Sequence, residues 1–158
     1  NENYAQPDLP AGVEADVLRG GYCFGVYGPS DAAQRVTLLG SGAILTEVVK
    51  AAQQLAAQGV GVEVLSITSW SELARNGMAQ ADNAGHLAQL LSATQGPIIA
   101  ATDYVRAVPE AIRAYLPDGR RYTTLGTDGF GRSDTRAALR AFFKVDAASI
   151  VAAALQGA

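Results

Sequence analysis

The chain has 158 residues, of which 49% are hydrophobic and 17% are charged, a composition that predicts one folded globular domain. Its formal net charge of −3 argues against nucleic acid as a partner, because the nucleic-acid backbone demands a basic face. The absence of a membrane-length apolar run and of a signal-peptide pattern argues against a membrane partner, and the single cysteine fits a reducing cytoplasm.

The first twelve residues, NENYAQPDLPAG, are punctuated by proline and glycine and predict an extended linker. They contain no initiator methionine and no basic leader, so we expect a fragment of a longer protein whose upstream domain is missing. The predicted domain then covers residues 13–158.

The first half of this domain alternates between predicted strands and helices. In chain order it contains a short helix at residues 13–19, strands at 22–28 and 35–42, a long helix at 43–58 and a third strand at 60–68. Apolar residues of the long helix, such as Ile44, Val48 and Leu55, recur at intervals of three and four and form one apolar stripe. The third strand is nearly continuous in apolar character, which is typical of parallel strands buried on both faces.

The second half continues the alternation. A helical stretch at residues 69–96, broken near 83–85, is followed by a strand at 97–102 and a helical stretch at 103–116. A strand at 121–126 and a helix at 134–143 come next, and a last helix from residue 147 is capped by Asp146. This order predicts an α/β fold with a mostly parallel five-stranded sheet and helices on both faces. The first strand is the candidate for an antiparallel edge.

The stretch LLGSGAILTEV places a Gly-Ser-Gly turn between a strand and a helix. Such turns can offer backbone N–H groups to an anion, so Gly40, Ser41 and Gly42 are a candidate anion or nucleotide site. The dinucleotide signature is incomplete, because Leu45 stands where a third glycine is needed, and no Walker lysine follows. The alternative interpretation is a tight strand-to-helix turn.

Few side chains are candidates for catalysis. His86 is the only histidine and no nucleophile elbow is present, so a solvated or helix-terminal histidine is the favoured interpretation. Asp103 follows a strand, where α/β folds place ligand groups, but a helix N-cap at Thr102 or Asp103 is favoured. Cys23 has apolar neighbours that favour a buried thiol, and one histidine with one cysteine is too few for a zinc site.

The glycine-rich stretch TLGTDGFGRSDTR ends the last predicted strand. It lacks the EF-hand register for calcium, and a phosphate site there would lack a lysine and face an Asp-started helix. We therefore predict a structural or interface loop, formed by Asp128, Gly129, Phe130, Gly131, Arg132, Ser133 and Asp134. Its glycines permit positive φ, Ser133 or Asp134 is expected to cap the next helix, and Phe130 is expected to be buried against this domain or a partner.

Several of these strings resemble one family when taken together. GTDGFGRSD and the residues after it resemble the C-terminal end of the homodimeric bacterial pyruvate dehydrogenases, the thiamine-diphosphate-dependent, transketolase-like decarboxylating components. NENYAQP resembles the junction that leaves the middle domain of those enzymes, and LLGSGAIL, SITSWSELARNG and ATDYVRAVPEAIRAYLP match in order. The stretch from Asn76 to Gly96 departs from the family pattern, since it is shorter and richer in alanine.

The resemblance implies the fold of a transketolase C-terminal domain, with three α/β/α layers around a five-stranded mixed sheet whose first strand is antiparallel. It also implies that the full enzyme decarboxylates pyruvate, or another 2-oxo acid, on thiamine diphosphate and Mg²⁺, and then acetylates a lipoyl group. The motif that holds the diphosphate and metal, G-D-G followed by an Asn pair, is absent from this sequence. We therefore assign no catalytic, cofactor-binding or metal-binding residue here, and expect the domain alone to be inactive.

The same resemblance predicts the partners of the domain. They are its own N-terminal and middle domains, the second subunit of a homodimer and the dihydrolipoyl acyltransferase core of the complex. The expected role is to support the subunit fold, the dimer and the assembly of the complex.

Overall fold

The computed structural model describes residues 5, 7–80 and 85–156. These residues form a five-stranded sheet in the order β1-β3-β2-β4-β5. The strands are β1 Gly21–Tyr27, β2 Arg35–Gly40, β3 Gly61–Ile67, β4 Ile98–Ala101 and β5 Tyr122–Leu125. β1 pairs antiparallel with β3 and all other pairs are parallel, so the predicted mixed sheet with an antiparallel first strand at its edge is confirmed.

Helices cover both faces of the sheet. The α-helices of the described residues are α1 Glu14–Leu18, α2 Leu45–Ala57, α3 Trp70–Ala79, α4 His86–Ser92, α5 Ala107–Glu110, α6 Arg136–Phe142 and α7 Ala147–Leu155. Within the described ranges, none of these helices has the length and apolar character needed to span a membrane. The predicted linker falls partly outside the described residues, as does most of the predicted helix break at 83–85.

The helical prediction for residues 103–116 is confirmed only in part. The structure contains only the short α5 and a 3₁₀ turn at Arg113–Tyr115. At the start of the segment, the Thr102 hydroxyl accepts a hydrogen bond from the backbone N–H of Tyr104 at 3.2 Å. Such local side-chain bonds compete with helix formation. Neither Thr102 nor Asp103 is the N-cap that the sequence predicted, because α5 begins at Ala107.

Two apolar clusters lie on opposite faces of the sheet. Alternation along β2 sends Leu38 to the cluster under α2 and α7, and Leu39 to the cluster under α3 and α4. Every residue of β3 is buried, as its continuous apolar character predicted. The three-layer architecture therefore follows from strands that are apolar on both faces.

The central strands define where a ligand crevice would lie in such a fold. β2 and β4 are neighbours, and the connections that leave them lead to opposite sides of the sheet, since β3 flanks β2 and β5 flanks β4. The carboxyl ends of these two strands therefore form the topological switch point, the usual position of a binding crevice in open α/β sheets.

Candidate functional site

The two segments that the sequence singled out meet at this switch point. The residues that follow the turn after β2, together with the loop after β5, line a single cleft of about 330 Å³. Its lining includes Ala43 just after the Gly40–Gly42 turn, Asp103 after the end of β4, and Gly131 and Arg132 from the loop. We call it the carboxyl-edge cleft. The sequence placed both segments at strand ends but did not predict that they share a cleft.

The Gly40–Gly42 turn is stabilised by hydrogen bonds of its central residue, Ser41. The Ser41 side chain is buried, and its Oγ lies 2.8 Å from Oγ1 of Thr102, so the two hydroxyls tie the end of β2 to the end of β4. The backbone N–H of Ser41 donates to Ala101 O at 3.4 Å. Gly42 adopts φ +56°, a left-handed conformation that favours glycine. These contacts support the tight-turn interpretation.

A carboxylate stands beside the same turn. A Cβ built on Gly42 would lie 3.4 Å from Oδ1 of Asp103. A negative charge at this distance repels an incoming anion. The site Gly40, Ser41, Gly42 therefore stays a prediction, and the Asp103 carboxylate opposes it.

The root of the loop after β5 is fixed by Asp128. Its Oδ1 accepts from the backbone N–H of Arg106 at 2.9 Å, and its Oδ2 accepts from Nε of the same residue at 2.6 Å. These hydrogen bonds from Arg106 hold the pKa of the Asp128 carboxyl below its ordinary value. The backbone N–H of Thr127 also donates to Tyr104 O at 2.8 Å. The loop is therefore anchored to the connection that follows β4.

The tip of the loop, residues 129–134, is exposed throughout. Gly129 has φ +82°, which agrees with the predicted need for positive φ. The Phe130 side chain is 97% exposed, so it is not buried against the described part of this domain. Arg132 lies over the ring of Phe142, with 4.0 Å between the guanidinium carbon and the ring centroid. The loop is thus anchored at its root, and its tip exposes an aromatic side chain to solvent.

The predicted cap of the following helix is off by one or two residues. The N-cap of α6 is Thr135, whose hydroxyl accepts from the backbone N–H of Ala138 at 3.3 Å. Asp134 instead accepts from the backbone N–H of Thr135 at 2.6 Å, and Ser133 precedes the cap. Runs of adjacent Ser, Asp and Thr contain several residues that can cap, so sequence alone does not fix which one does.

Sequence reasoning missed Glu47, a buried carboxylate behind the cleft. It is only 6% exposed, and it accepts hydrogen bonds from Lys50 Nζ, Arg140 Nη1 and the backbone N–H of Ala147 at 2.8, 2.8 and 3.1 Å. Its position could have been found, because residues 44, 47, 48 and 51 share one helix face and the other three are apolar. A carboxylate on the apolar face of a helix predicts that a cation or hydrogen-bond donor is buried beside it.

The remaining candidates lie elsewhere. His86 begins α4, as predicted, but it is not solvated, since it is 2% exposed and its Nε2 lies 2.7 Å from Gly21 O. The prediction of a buried thiol is wrong, because Cys23 is exposed on the edge strand β1. Partial desolvation nevertheless raises the pKa of the Cys23 thiol, which disfavours the reactive thiolate.

The side chains of the carboxyl-edge cleft do not fit a magnesium diphosphate. Mg²⁺ prefers several oxygen ligands, whereas the cleft offers the carboxylate of Asp103 among Arg132, Arg136 and Arg140. Within the described residues, no group of three or more His, Cys, Asp or Glu side chains is arranged to hold a metal ion.

Fold and site together define a three-layer α/β domain of the transketolase C-terminal type. Transketolase from Leishmania mexicana superposes with a TM-score of 0.61 and 20% identity, over 91% of this chain and 19% of that one. Transketolase from Campylobacter jejuni gives a TM-score of 0.60 and 20% identity, over 86% of this chain and 18% of that one. At these identities the likeness concerns the fold alone.

The family model of the transketolase-like TK C-terminal domain matches residues 20–146, so the chain belongs to this family. Among curated relatives, the "Pyruvate dehydrogenase E1 component" of Cupriavidus necator is 46% identical over 99% of this chain and 18% of its own length. The proteins of the same name from Pseudomonas aeruginosa and Escherichia coli K12 are each 42% identical, over 99% and 98% of this chain. The resemblance noted in the sequence is thereby confirmed. The chain spans about a fifth of the length of these relatives, 18% or 19% in each case.

Proposed function

We propose that this chain is the non-catalytic C-terminal domain of a pyruvate dehydrogenase E1 component. The observation that carries the proposal is the 46% identity, over 99% of the chain, to a protein of that name. The division into a linker at residues 1–12 and a domain at 13–158 belongs to the proposal. The domain would support the fold of its subunit, the homodimer and the assembly with the dihydrolipoyl acyltransferase core, in the cytoplasm.

The longer enzyme would decarboxylate pyruvate and acetylate a lipoyl group. The thiamine diphosphate and Mg²⁺ that this chemistry requires would be held by its N-terminal and middle domains. The arginine-rich lining of the carboxyl-edge cleft supports this division, because it does not suit the metal.

The exposed loop tip supports a role in subunit contact. Burying a phenylalanine side chain is worth about 1.5–3 kcal/mol, and Phe130 gains none of this within the described domain, at 97% exposure. The base of the loop is fixed by the hydrogen bonds between Asp128 and Arg106, so binding a partner would cost little conformational entropy. We assign the tip to the interface with the second subunit, because the resemblance is to homodimeric enzymes.

The experiment compares two substitutions in the longer enzyme. Phe130→Ala is expected to raise the dimer dissociation constant about tenfold, which corresponds to ~1.4 kcal/mol. Met78→Ala is the matched control, because Met78 is a large apolar side chain on α3 that is 74% exposed. Sedimentation equilibrium measures the dimer, and calorimetry should show that thiamine diphosphate affinity is unchanged. An unaltered dimer in the Phe130 variant would refute the interface role.

A second experiment addresses the absence of catalysis. The 158-residue chain, mixed with pyruvate, thiamine diphosphate and Mg²⁺, should give no turnover and no heat of cofactor binding. Saturable binding of the cofactor would refute this part of the proposal. The alternative function, an anion-binding module at Gly40–Gly42, is not favoured by any contact at that turn.

A further inference from the structure

A second cleft lies at the opposite edge of the sheet, where the parallel strands begin. Arg35 is the first residue of β2, Gly96 and Pro97 precede β4, and Arg120 and Arg121 precede β5. These residues and Gly119 line a cleft of about 450 Å³, which we call the arginine cleft. The size is within the range of small-molecule sites. Three arginines therefore converge on one cleft in a chain whose net charge is −3.

Arg120 is a half-buried cation whose acceptors are all neutral. Its Nε donates to Gly96 O at 2.7 Å, its Nη1 to Thr94 Oγ1 at 2.8 Å and its Nη2 to Thr37 Oγ1 at 2.8 Å. Within the described residues it forms no ion pair. Burial lowers the pKa of this guanidinium, and the charge of Glu63 partly offsets the effect. Buried charges are ordinarily paired, and within the described residues no carboxylate contacts this guanidinium directly.

The other two arginines are also held by hydrogen bonds, but not all of their N–H groups have an acceptor. Arg121 Nη2 donates to Ala153 O and Ala154 O at 3.2 and 3.4 Å, near the end of α7. Arg35 donates to Ser30 O at 2.9 Å and pairs with the buried Glu63. A guanidinium has five N–H groups, and within the described structure the Nε–H of both side chains has no acceptor.

The charge balance of the cleft is positive. Three arginines line it, and the carboxylate of Glu63, which pairs with Arg35, also acts on Arg120. Among the residues that the structure describes, no Asp or Glu lines the cleft. The arginines are already ordered by backbone carbonyls, so a ligand would not have to immobilise them.

We propose that the arginine cleft binds a small phosphorylated molecule through Arg35, Arg120 and Arg121. The planar fork of a guanidinium matches the oxygens of a phosphoryl group, and such charge-assisted hydrogen bonds are the strong ones. The ligand supplies an anionic group in direct contact with Arg120. The site lies at the amino edge of the sheet, away from the carboxyl-edge cleft, and is independent of the function proposed above.

The test is calorimetric titration of the 158-residue chain with sodium pyrophosphate, at ionic strength held constant with sodium chloride. A dissociation constant below about 1 mM is expected, a modest affinity for a site of this kind. Arg121→Gln should weaken binding about tenfold, since it removes one charge-assisted contact. Arg75→Gln is the matched control, because Arg75 is exposed on α3 and pairs with Glu72, and it should leave the affinity unchanged.

A second variant keeps the test valid if Arg121→Gln disturbs folding. Gln34→Glu adds a carboxylate at the rim of the cleft without removing an arginine, and it should abolish pyrophosphate binding. Gln53→Glu, at an exposed position of α2, is its control and should bind as the parent chain does. No saturable binding, or binding that survives Gln34→Glu, would overturn the proposal. So would binding of an acidic peptide in the absence of pyrophosphate binding, because it would indicate a protein partner.

Discussion

Glu47 and Arg140 form a buried ion pair, with 2.8 Å between Oε1 and Nη1, that ties the second helix to the sixth. The other oxygen of Glu47 accepts from the backbone N–H of Ala147, the first residue of α7. One carboxylate therefore joins three helices at the junction behind the carboxyl-edge cleft. Since charged groups are seldom buried without partners, this pair fixes how α6 and α7 approach α2.

Glu47→Gln is expected to lower the free energy of unfolding by about 2–3 kcal/mol. The substitution leaves the Arg140 guanidinium, whose side chain is 14% exposed, without its counter-charge. Glu72→Gln is the matched control, because Glu72 is likewise paired with an arginine, Arg75, but that pair lies on an exposed helix face. We expect less than about 1 kcal/mol there. Urea denaturation measures both, and equal losses would contradict the role given to Glu47.

The same carboxylate should make stability depend on pH. Burial favours the neutral form of Glu47, but the hydrogen bonds from Lys50 and Ala147 and the charges of Lys50 and Arg140 outweigh it, so its pKa lies below the ordinary value of 4.5. A depressed pKa means that the stabilisation is complete above the unfolded-state pKa and is lost as the pH falls through the folded-state value.

The measurement compares the parent chain with Glu47→Gln by urea denaturation from pH 7 to pH 3. The difference in unfolding free energy should be constant above about pH 5.5 and should shrink below about pH 4.5. A difference that grows on acidification would have the wrong sign and would contradict the assignment.

The sequence predicted the elements whose causes are local. The repeat of Ile44, Val48 and Leu55 predicted α2, and Asp146 was correctly identified as the cap of α7, where its Oδ1 accepts from the backbone N–H of Ser149 at 3.0 Å. The continuous apolar run of β3 predicted burial on both faces. Each of these depends on residues that are neighbours in the chain.

Features that depend on contacts between distant segments could not be predicted. The apolar neighbours of Cys23 suggested burial, but β1 is an edge strand, and that depends on the order of strands in the sheet. The contact of Ser41 with Thr102 and that of Arg106 with Asp128 join segments that only the sheet brings together. The same is true of the arginine cleft, which draws on the starts of separate strands.

Thr135→Ala should destabilise the chain by about 1 kcal/mol, whereas Ser133→Ala should have almost no effect. Thr135 is the residue whose hydroxyl accepts from the first turn of α6, at Ala138 N. Loss of an N-cap hydroxyl leaves a backbone donor unsatisfied and typically costs about this much. Thermal unfolding followed by circular dichroism compares the two variants. A larger loss in the Ser133 variant would restore the cap originally expected from the sequence.

Gly96→Ala and Gly119→Ala separate steric exclusion from backbone strain at the rim of the arginine cleft. Both glycines have left-handed φ, +75° and +76°, so alanine carries the same conformational cost of about 1–3 kcal/mol at each. A Cβ on Gly119 would meet nothing within 4 Å, whereas one on Gly96 would lie 1.8 Å from Arg35 O. The Gly96 variant must therefore push apart the starts of β2 and β4, and we expect it to lose several kcal/mol more or to fail to fold. Urea midpoints of the two soluble variants, or the soluble yield where one does not fold, give the comparison. Equal losses would mean that the chain before β4 relaxes away from Arg35, and that this edge of the sheet is not as rigid as its hydrogen bonds indicate.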